Sequence, residues 1–201
     1  MIISISGNIA SGKTTLAKKI CSLYSFEYVP SKKEEYQFLD DFYENVPRYF
    51  LSTQSCFLIN KASEICDRVK NHQNIVIDRS IHEDIHIFAR YWMDRYDIDE
   101  REKSLYMRIA SYITKTIPES DAYVYCQCSP KVSLKRISLR APRSFESNFP
   151  QNFIHDLYDC YSFFRFPSTS VFECNSERND FSDDYTVTQI MERILELVKR
   201  G

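Results

Sequence analysis

Residues 7–14 read GNIASGKT, the spacing G-x-x-x-x-G-K-T. The octet stands between a short apolar run, Ile2, Ile3 and Ile5, and an amphipathic stretch from Thr14 to Leu23. Strand, loop, helix is the context in which this spacing has a physical meaning. Backbone N–H groups of the loop and of the helix N-terminus surround an anion, and the helix dipole favours it. The chain has only three glycines in 201 residues; one is the terminal Gly201, and the others are Gly7 and Gly12. A chain this poor in glycine has its internal ones where backbone must approach a ligand closely. The octet and the residue after it therefore read as a nucleotide-phosphate loop that binds through Gly7, Asn8, Ala10, Ser11, Gly12, Lys13, Thr14 and Thr15. In that reading Lys13 reaches the β- and γ-phosphates of a nucleoside triphosphate and the Thr14 hydroxyl ligates Mg²⁺.

The rest of the chain alternates strand and helix patterns. "FEYVP" (26–30), "NIVID" (74–78), "DAYVYCQC" (121–128) and "SVFEC" (170–174) read as further strands. Helical patterns cover 35–45, 48–70 with a break at Pro47, 82–95, 99–116, a stretch from Ser129-Pro130 to Leu139, 150–163 and 185–199. This alternation predicts an α/β protein, a five-stranded parallel sheet flanked by helices, as one domain over 1–201. A net charge of −2 argues against a nucleic acid polymer as partner. No apolar run reaches the roughly 20 residues that a membrane span needs, and the N-terminus lacks the pattern of a signal peptide. Seven cysteines in no regular spacing read as reduced thiols of a cytoplasmic protein.

A phosphate loop says nucleoside triphosphate, not which reaction. No N-K-x-D guanine signature is present, and the chain is small, which favours a small-molecule kinase. Arg136, Arg140 and Arg143 lie at the end of one helical pattern and in the loop after it. Guanidinium groups placed there can fold over a transferring phosphoryl group as a lid, here about 140–148, and exclude water.

Several segments together resemble the deoxyribonucleoside kinase family, relatives of thymidylate kinase with the P-loop kinase fold. The resemblance covers roughly residues 1–165. It rests on "GNIASGKTT", on Asp78-Arg79-Ser80 at the end of the third strand, on "YFLSTQSCF", on "DDFYEN" and on "RAPRSFES". It implies transfer of the ATP γ-phosphoryl group to the 5′-hydroxyl of a deoxynucleoside. Arg79 would hold phosphate and attacking oxygen in line, and Asp78 would sit by Mg²⁺. Gln54 and Phe88 would hold the base, and Tyr43 and Glu146 the sugar. Arg140 and Arg143, with Arg136 before them on the helix, would clamp phosphate. The resemblance also implies a homodimer through the helices near 83–95 and 100–116. The loop at 175–180 is expected to border the adenine of ATP.

One position departs from that family. Where it has a glutamate that takes the proton from the 5′-hydroxyl, this chain has Ser31. A serine hydroxyl is no base at neutral pH. Three readings follow. Another carboxylate serves, Asp78 being best placed and Glu34 or Glu35 nearby. Or the acceptor is a monophosphate, already ionised, met by Lys32 and Lys33. Or the protein binds nucleotides in a regulatory role with weak turnover.

His82-Glu83-Asp84-Ile85-His86 also fits H-E-x-x-H, a zinc-protease pattern. Neither His72 nor His155 lies in a third-ligand motif, so a zinc site is not expected. The two histidines are expected on the helix surface or facing a dimer partner, with Glu83 and Asp84 complementing the dipole of the first turn.

Overall fold

The computed structural model describes residues 1–200 apart from 32–37, 73, 141–145, 147 and 169. Five strands form one parallel sheet in the order β2-β3-β1-β4-β5: β1 Ile2–Ser6, β2 Glu27–Val29, β3 Ile75–Asp78, β4 Ala122–Gln127 and β5 Val171–Asn175. In the central ladders Ile5 pairs with Asp78 on one side and with Val124 on the other. The chain leaves β1 for the β2 edge, returns to β3, and then crosses to β4. The carboxyl end of β1 is therefore where the order reverses, the place at which open α/β sheets bind ligands.

Two different cores cover the sheet. On one face Ile3, Ile5, Val76, Val124 and Cys126 pack against α1 (Lys13–Leu23) and α9 (Asp184–Arg200) through Leu16, Ile20, Val187 and Ile194. The alternation of apolar residues along each strand dictates this face. The other face carries α3 (Val46–Asn71), whose Ile65 meets Val29, Ile75 and Ile77. Beyond it lies a helical core rich in aromatic rings. It joins α2 (Leu39–Glu44), α3, α5 (Arg90–Arg95), α6 (Glu100–Thr114) and α8 (Phe153–Phe163). Residues Pro130–Leu139 form α7, capped by Ser129, whose hydroxyl accepts from the Val132 amide.

Two boundaries differ from the sequence reading. The break before α3 falls at Asn45, whose side chain caps the helix, and Pro47 sits in the first turn, where no N–H is needed. The pattern at 82–95 is not one regular helix. Ile81–Glu83 (α4) is followed by a π-helical segment, Asp84–Ala89, and then by α5. That wider turn puts Ile85, Ile87, Phe88 and Ala89 all in the interior. Among the described residues no helix is long and apolar enough to cross a membrane. All seven cysteines are free, with the Cys126 and Cys174 sulfurs 3.9 Å apart on neighbouring strands.

Candidate active site

The glycine loop is shaped by what surrounds it. Gly7 has φ +138°, and a Cβ there would lie 2.6 Å from the Cys126 carbonyl oxygen. Gly12 has φ +93°, and a Cβ there would lie 2.9 Å from the Phe181 ring. No larger residue fits either position. Asn8 ties the loop to α8 by donating to the Ile154 carbonyl at 2.8 Å, and its Oδ1 accepts from the Ile9 amide. Lys13 is buried and folds back so that Nζ donates to the Asn8 carbonyl at 2.6 Å. Burial, then the Arg79 charge, lowers the Lys13 ammonium to about 8, against the pull of Asp78 and Glu83. Thr14 and Thr15 are exposed, and both line the cleft above the loop.

The end of β3 supplies the facing wall. The Asp78 Oδ2 accepts from Thr14 Oγ1 at 2.5 Å and from the Tyr28 hydroxyl at 3.0 Å. Arg79 then adopts φ +73°, a left-handed conformation that costs a non-glycine residue about 1 kcal/mol or more. Its guanidinium is buried and lies 3.9 Å from the centre of the Phe88 ring. Its Nε and Nη1 have no hydrogen-bond partner among the described residues. Burial pulls this group's pKa down, but Tyr161, Glu83, Asp84 and Asp78 outweigh it and hold the cation fully charged. A buried cation with open N–H groups is a receptor for an anion.

Glu83 is fully buried and organises the wall. Its Oε2 accepts from the Ser80 amide at 2.8 Å and hydroxyl at 3.0 Å, while Ser80 Oγ accepts from the Glu83 amide. Its Oε1 accepts from the Gly7 amide at 3.2 Å. The Tyr161 hydroxyl lies 2.6 Å from that oxygen and 2.8 Å from the Gly7 carbonyl, and its single proton serves one at a time. Glu83 and Asp84 do stand in the first turns of their segments, as expected, but they serve more than the helix dipole. Both are buried, and Glu83 couples the β3 turn to the glycine loop. The buried charges among the described residues balance: Lys13, Lys61 and Arg79 against Asp78, Glu83 and Asp84.

A cleft of about 640 Å³ opens above the loop, lined by Lys13, Thr14, Asp78 and Arg79 on one side and by Arg136, Arg140 and Glu146 on the other. Ser31 also faces it. Arg136 is held in place by the Ala10 carbonyl (3.3 Å) and by Ser176 Oγ (3.0 Å) and carbonyl oxygen (2.6 Å). That contact binds α7 to the glycine loop and to the loop after β5, whose residues 176–181 line the cleft. Arg140 forms an ion pair with Glu146. Arg143, most of the segment 140–148, and Lys32, Lys33, Glu34 and Glu35 lie outside the described residues.

Beyond Arg79 a second pocket is lined by Tyr43, Gln54, Asp84, Phe88, Trp92 and Phe153, with Ile9 shared between pocket and cleft. At about 20 Å³ it has room for no more than a water molecule. The Tyr43 ring stands 5.7 Å from that of Phe149, which lines the cleft. Burial, the largest cause, holds the Tyr43 hydroxyl above its ordinary range; Arg79 opposes this and Glu146 adds to it. The structure therefore groups Tyr43, Gln54 and Phe88 around the small pocket, and Lys13, Thr14, Asp78, Arg79 and Glu146 around the cleft.

Sequence reading missed Lys61, Glu83, Tyr161 and Tyr28. Two of these left a signal. Ser80-x-x-Glu83 is a capping box. Lys61 lies on the buried stripe Phe50, Gln54, Leu58, Ile65 of α3, where a lysine needs partners. His82 bonds Glu119 at 3.1 Å and stacks on His86, with ring centres 6.2 Å apart. No group of three or more metal-ligating side chains occurs among the described residues.

Several known proteins are similar to this chain. A deoxyguanosine kinase of Bacillus subtilis is 26% identical over 163 residues, covering 79% of this chain and 75% of its own length. A probable deoxycytidine kinase of Fowlpox virus is 30% identical over 162 residues, covering 78% of this chain and 68% of its own. The structure of the M. mycoides deoxyadenosine kinase with bound dATP superposes with a TM-score of 0.80 at 23% identity, over 97% of this chain and all of that one. The likeness to that structure is one of fold. The sequence match to the family described as deoxynucleoside kinase runs over residues 3–199, which is nearly the whole chain, and on that match this protein is a member of the deoxynucleoside kinase family.

Proposed function

We propose that this kinase moves the γ-phosphoryl group of ATP to the 5′-hydroxyl of a deoxyribonucleoside, as one catalytic unit over 1–201. One observation carries the reading. Arg79, a buried cation with open N–H groups, lines the glycine-loop cleft and lies against the Phe88 ring, which lines a closed aromatic pocket holding Gln54 and Asp84. Phosphate on one side and a flat polar ring on the other suit these two spaces.

The loop amides and Lys13 hold the β- and γ-phosphates, and Arg136 stands where α7 meets the loop. Arg79 and Arg140, with Arg143, offset charge on the group in flight. Tyr43 and Glu146 take the sugar. Gln54 and Phe88 take the base, after the aromatic pocket opens. Thr14 and Asp78 fit Mg²⁺: their oxygens converge at 2.5 Å beside Lys13, and the hard donors suit that ion. When bound, Mg²⁺ neutralises phosphate charge. The 5′-oxygen forms a bond to phosphorus as the bond to the ADP oxygen breaks, and the hydroxyl proton passes to a carboxylate. Asp78 is the candidate, because its Oδ1 takes no hydrogen bond from a described residue while Oδ2 takes two. Seven free thiols suit a cytosolic setting. Exposed Leu105, Met107 and Tyr112 on α6 support a homodimer, and a light-scattering mass of one chain would count against it.

The test is ADP release from Mg·ATP with the four deoxynucleosides and, in parallel, their 5′-monophosphates. Turnover on a nucleoside, lost by about a hundredfold or more in Asp78→Asn, is the expected result. Turnover on monophosphates alone would replace this reading with one in which Ser31 marks an acceptor that needs no base.

Lys13 adds a pH dependence. With its ammonium at about 8 before nucleotide binds, the protonated form that attracts phosphate dominates below that pH. ATP affinity is therefore expected to fall about tenfold between about pH 7 and pH 9. Titration calorimetry reads this directly, and an unchanged slope in Lys13→Met would refute the assignment.

A further inference from the structure

Lys61 is 4% exposed, yet it lines neither the cleft nor the aromatic pocket. Its ammonium is used up behind them. Nζ donates to the Arg79 carbonyl at 2.8 Å and to the Asp78 carbonyl at 3.2 Å, and lies 3.6 Å from Asp84 Oδ2. Two of its donors thus meet backbone acceptors, and the charge is paired with the Asp84 carboxylate.

The reason two carbonyls need a lysine lies in the backbone. Arg79 still pairs with β1, its amide donating to the Ile5 carbonyl at 2.9 Å. Its positive φ then turns the chain sharply, and Ser80 begins α4. The carbonyls of Asp78 and Arg79 are left in the interior, and a buried backbone acceptor without a donor is strongly unfavourable. Helix α3 brings Lys61 to that point on the same stripe that presents Gln54 to the aromatic pocket, seven residues or two turns earlier.

We propose that Lys61 is a positioning residue for phosphoryl transfer. It holds the left-handed turn that aims the Arg79 guanidinium into the cleft and the Asp78 carboxylate at Thr14, without itself touching nucleotide or acceptor. The kinetic part of this inference rests on the proposed transfer reaction; the clamp on the turn does not.

Two readouts keep those parts separate. In hydrogen exchange without substrate, Lys61→Met is expected to speed exchange in the 78–84 segment about tenfold or more, with the 100–114 segment unchanged. In turnover, Lys61→Met is expected to lower kcat by about a hundredfold while ATP affinity and acceptor KM stay within about threefold, and Lys61→Arg is expected to recover kcat to within about tenfold of wild type. A loss confined to acceptor KM would overturn the proposal, because Lys61 would then be a substrate contact. So would unchanged exchange in the 78–84 segment of the folded variant, or a kcat within about threefold of wild type. If Lys61→Met does not fold, Lys61→Met with Asp84→Asn removes the unpaired carboxylate. Failure of that double variant to fold would mean a purely structural lysine. A wild-type protein silent on every deoxynucleoside would count against the acceptor reading alone, and the exchange result would still decide the clamp.

Discussion

Arg79→Met is expected to lower phosphoryl transfer by about a thousandfold or more, the range that a guanidinium at the transferring group supplies. The substitution preserves length and apolar contact with the Phe88 ring but removes the guanidinium with its unpartnered Nε and Nη1 donors. Its effect should fall on kcat and kcat/KM alike, because the charge it stabilises develops in the transition state. Stability should fall too. Among the described residues, Arg79 is one of three buried cations set against three buried carboxylates. Removing it leaves Asp78, Glu83 and Asp84 with only Lys13 and Lys61, at a cost of about 3–5 kcal/mol. Thermal unfolding with and without nucleotide separates the two effects. Arg79→Lys should rescue part of the stability and little of the rate, since an ammonium has no planar fork to meet two oxygens. A folded Arg79→Met protein with turnover within about tenfold of wild type would remove Arg79 from the mechanism.

Trp92→Ala is expected to give the largest loss of stability without touching the phosphate site. Trp92 is 2% exposed, and its ring stands 5.1 Å from Phe42, 5.8 Å from Tyr43, 4.8 Å from Tyr91 and 5.3 Å from Phe153. Truncating a ring at the centre of such a cluster costs about 3–5 kcal/mol. In a chain of this length that is a fall in Tm of about 10 °C. Trp92 also lines the closed pocket assigned to the base, so acceptor KM should rise. The nucleotide side should be largely spared, because β1 and α1 pack in the other core and the glycine loop reaches this one only at its Asn8–Ala10 edge. Calorimetric ATP titration should therefore give a near wild-type affinity on protein held below its lowered Tm. Loss of ATP affinity together with acceptor affinity would show that the two cores are coupled.

Much of the architecture was legible in consecutive residues. Strand runs, helix periodicity and the two internal glycines predict β1, the loop and α1, and the alternation predicts a parallel sheet. The π-helical segment at Asp84–Ala89 was not legible. A window of apolar residues there reads the same whether the turn is α or π, and packing against α3 and α8 decides it. The role of Glu83 was half legible: the capping box is local, but its contact with the Gly7 amide joins residues 76 positions apart.

The sequence by itself determined that a phosphate loop would form and on what class of fold. Glycine conformation, capping and hydrophobic period are properties of neighbours along the chain, and they act before any long-range contact exists. Only the tertiary structure decided which charges would be buried together. Lys61, Arg79 and Glu83 come from α3, the β3 turn and α4, and the Tyr161 hydroxyl reaches Gly7 across 154 positions. A side chain carries no mark of its distant partner. Its partner is set when sheet order and helix packing bring three or four segments to one point, and there burial obliges every charge to find its match.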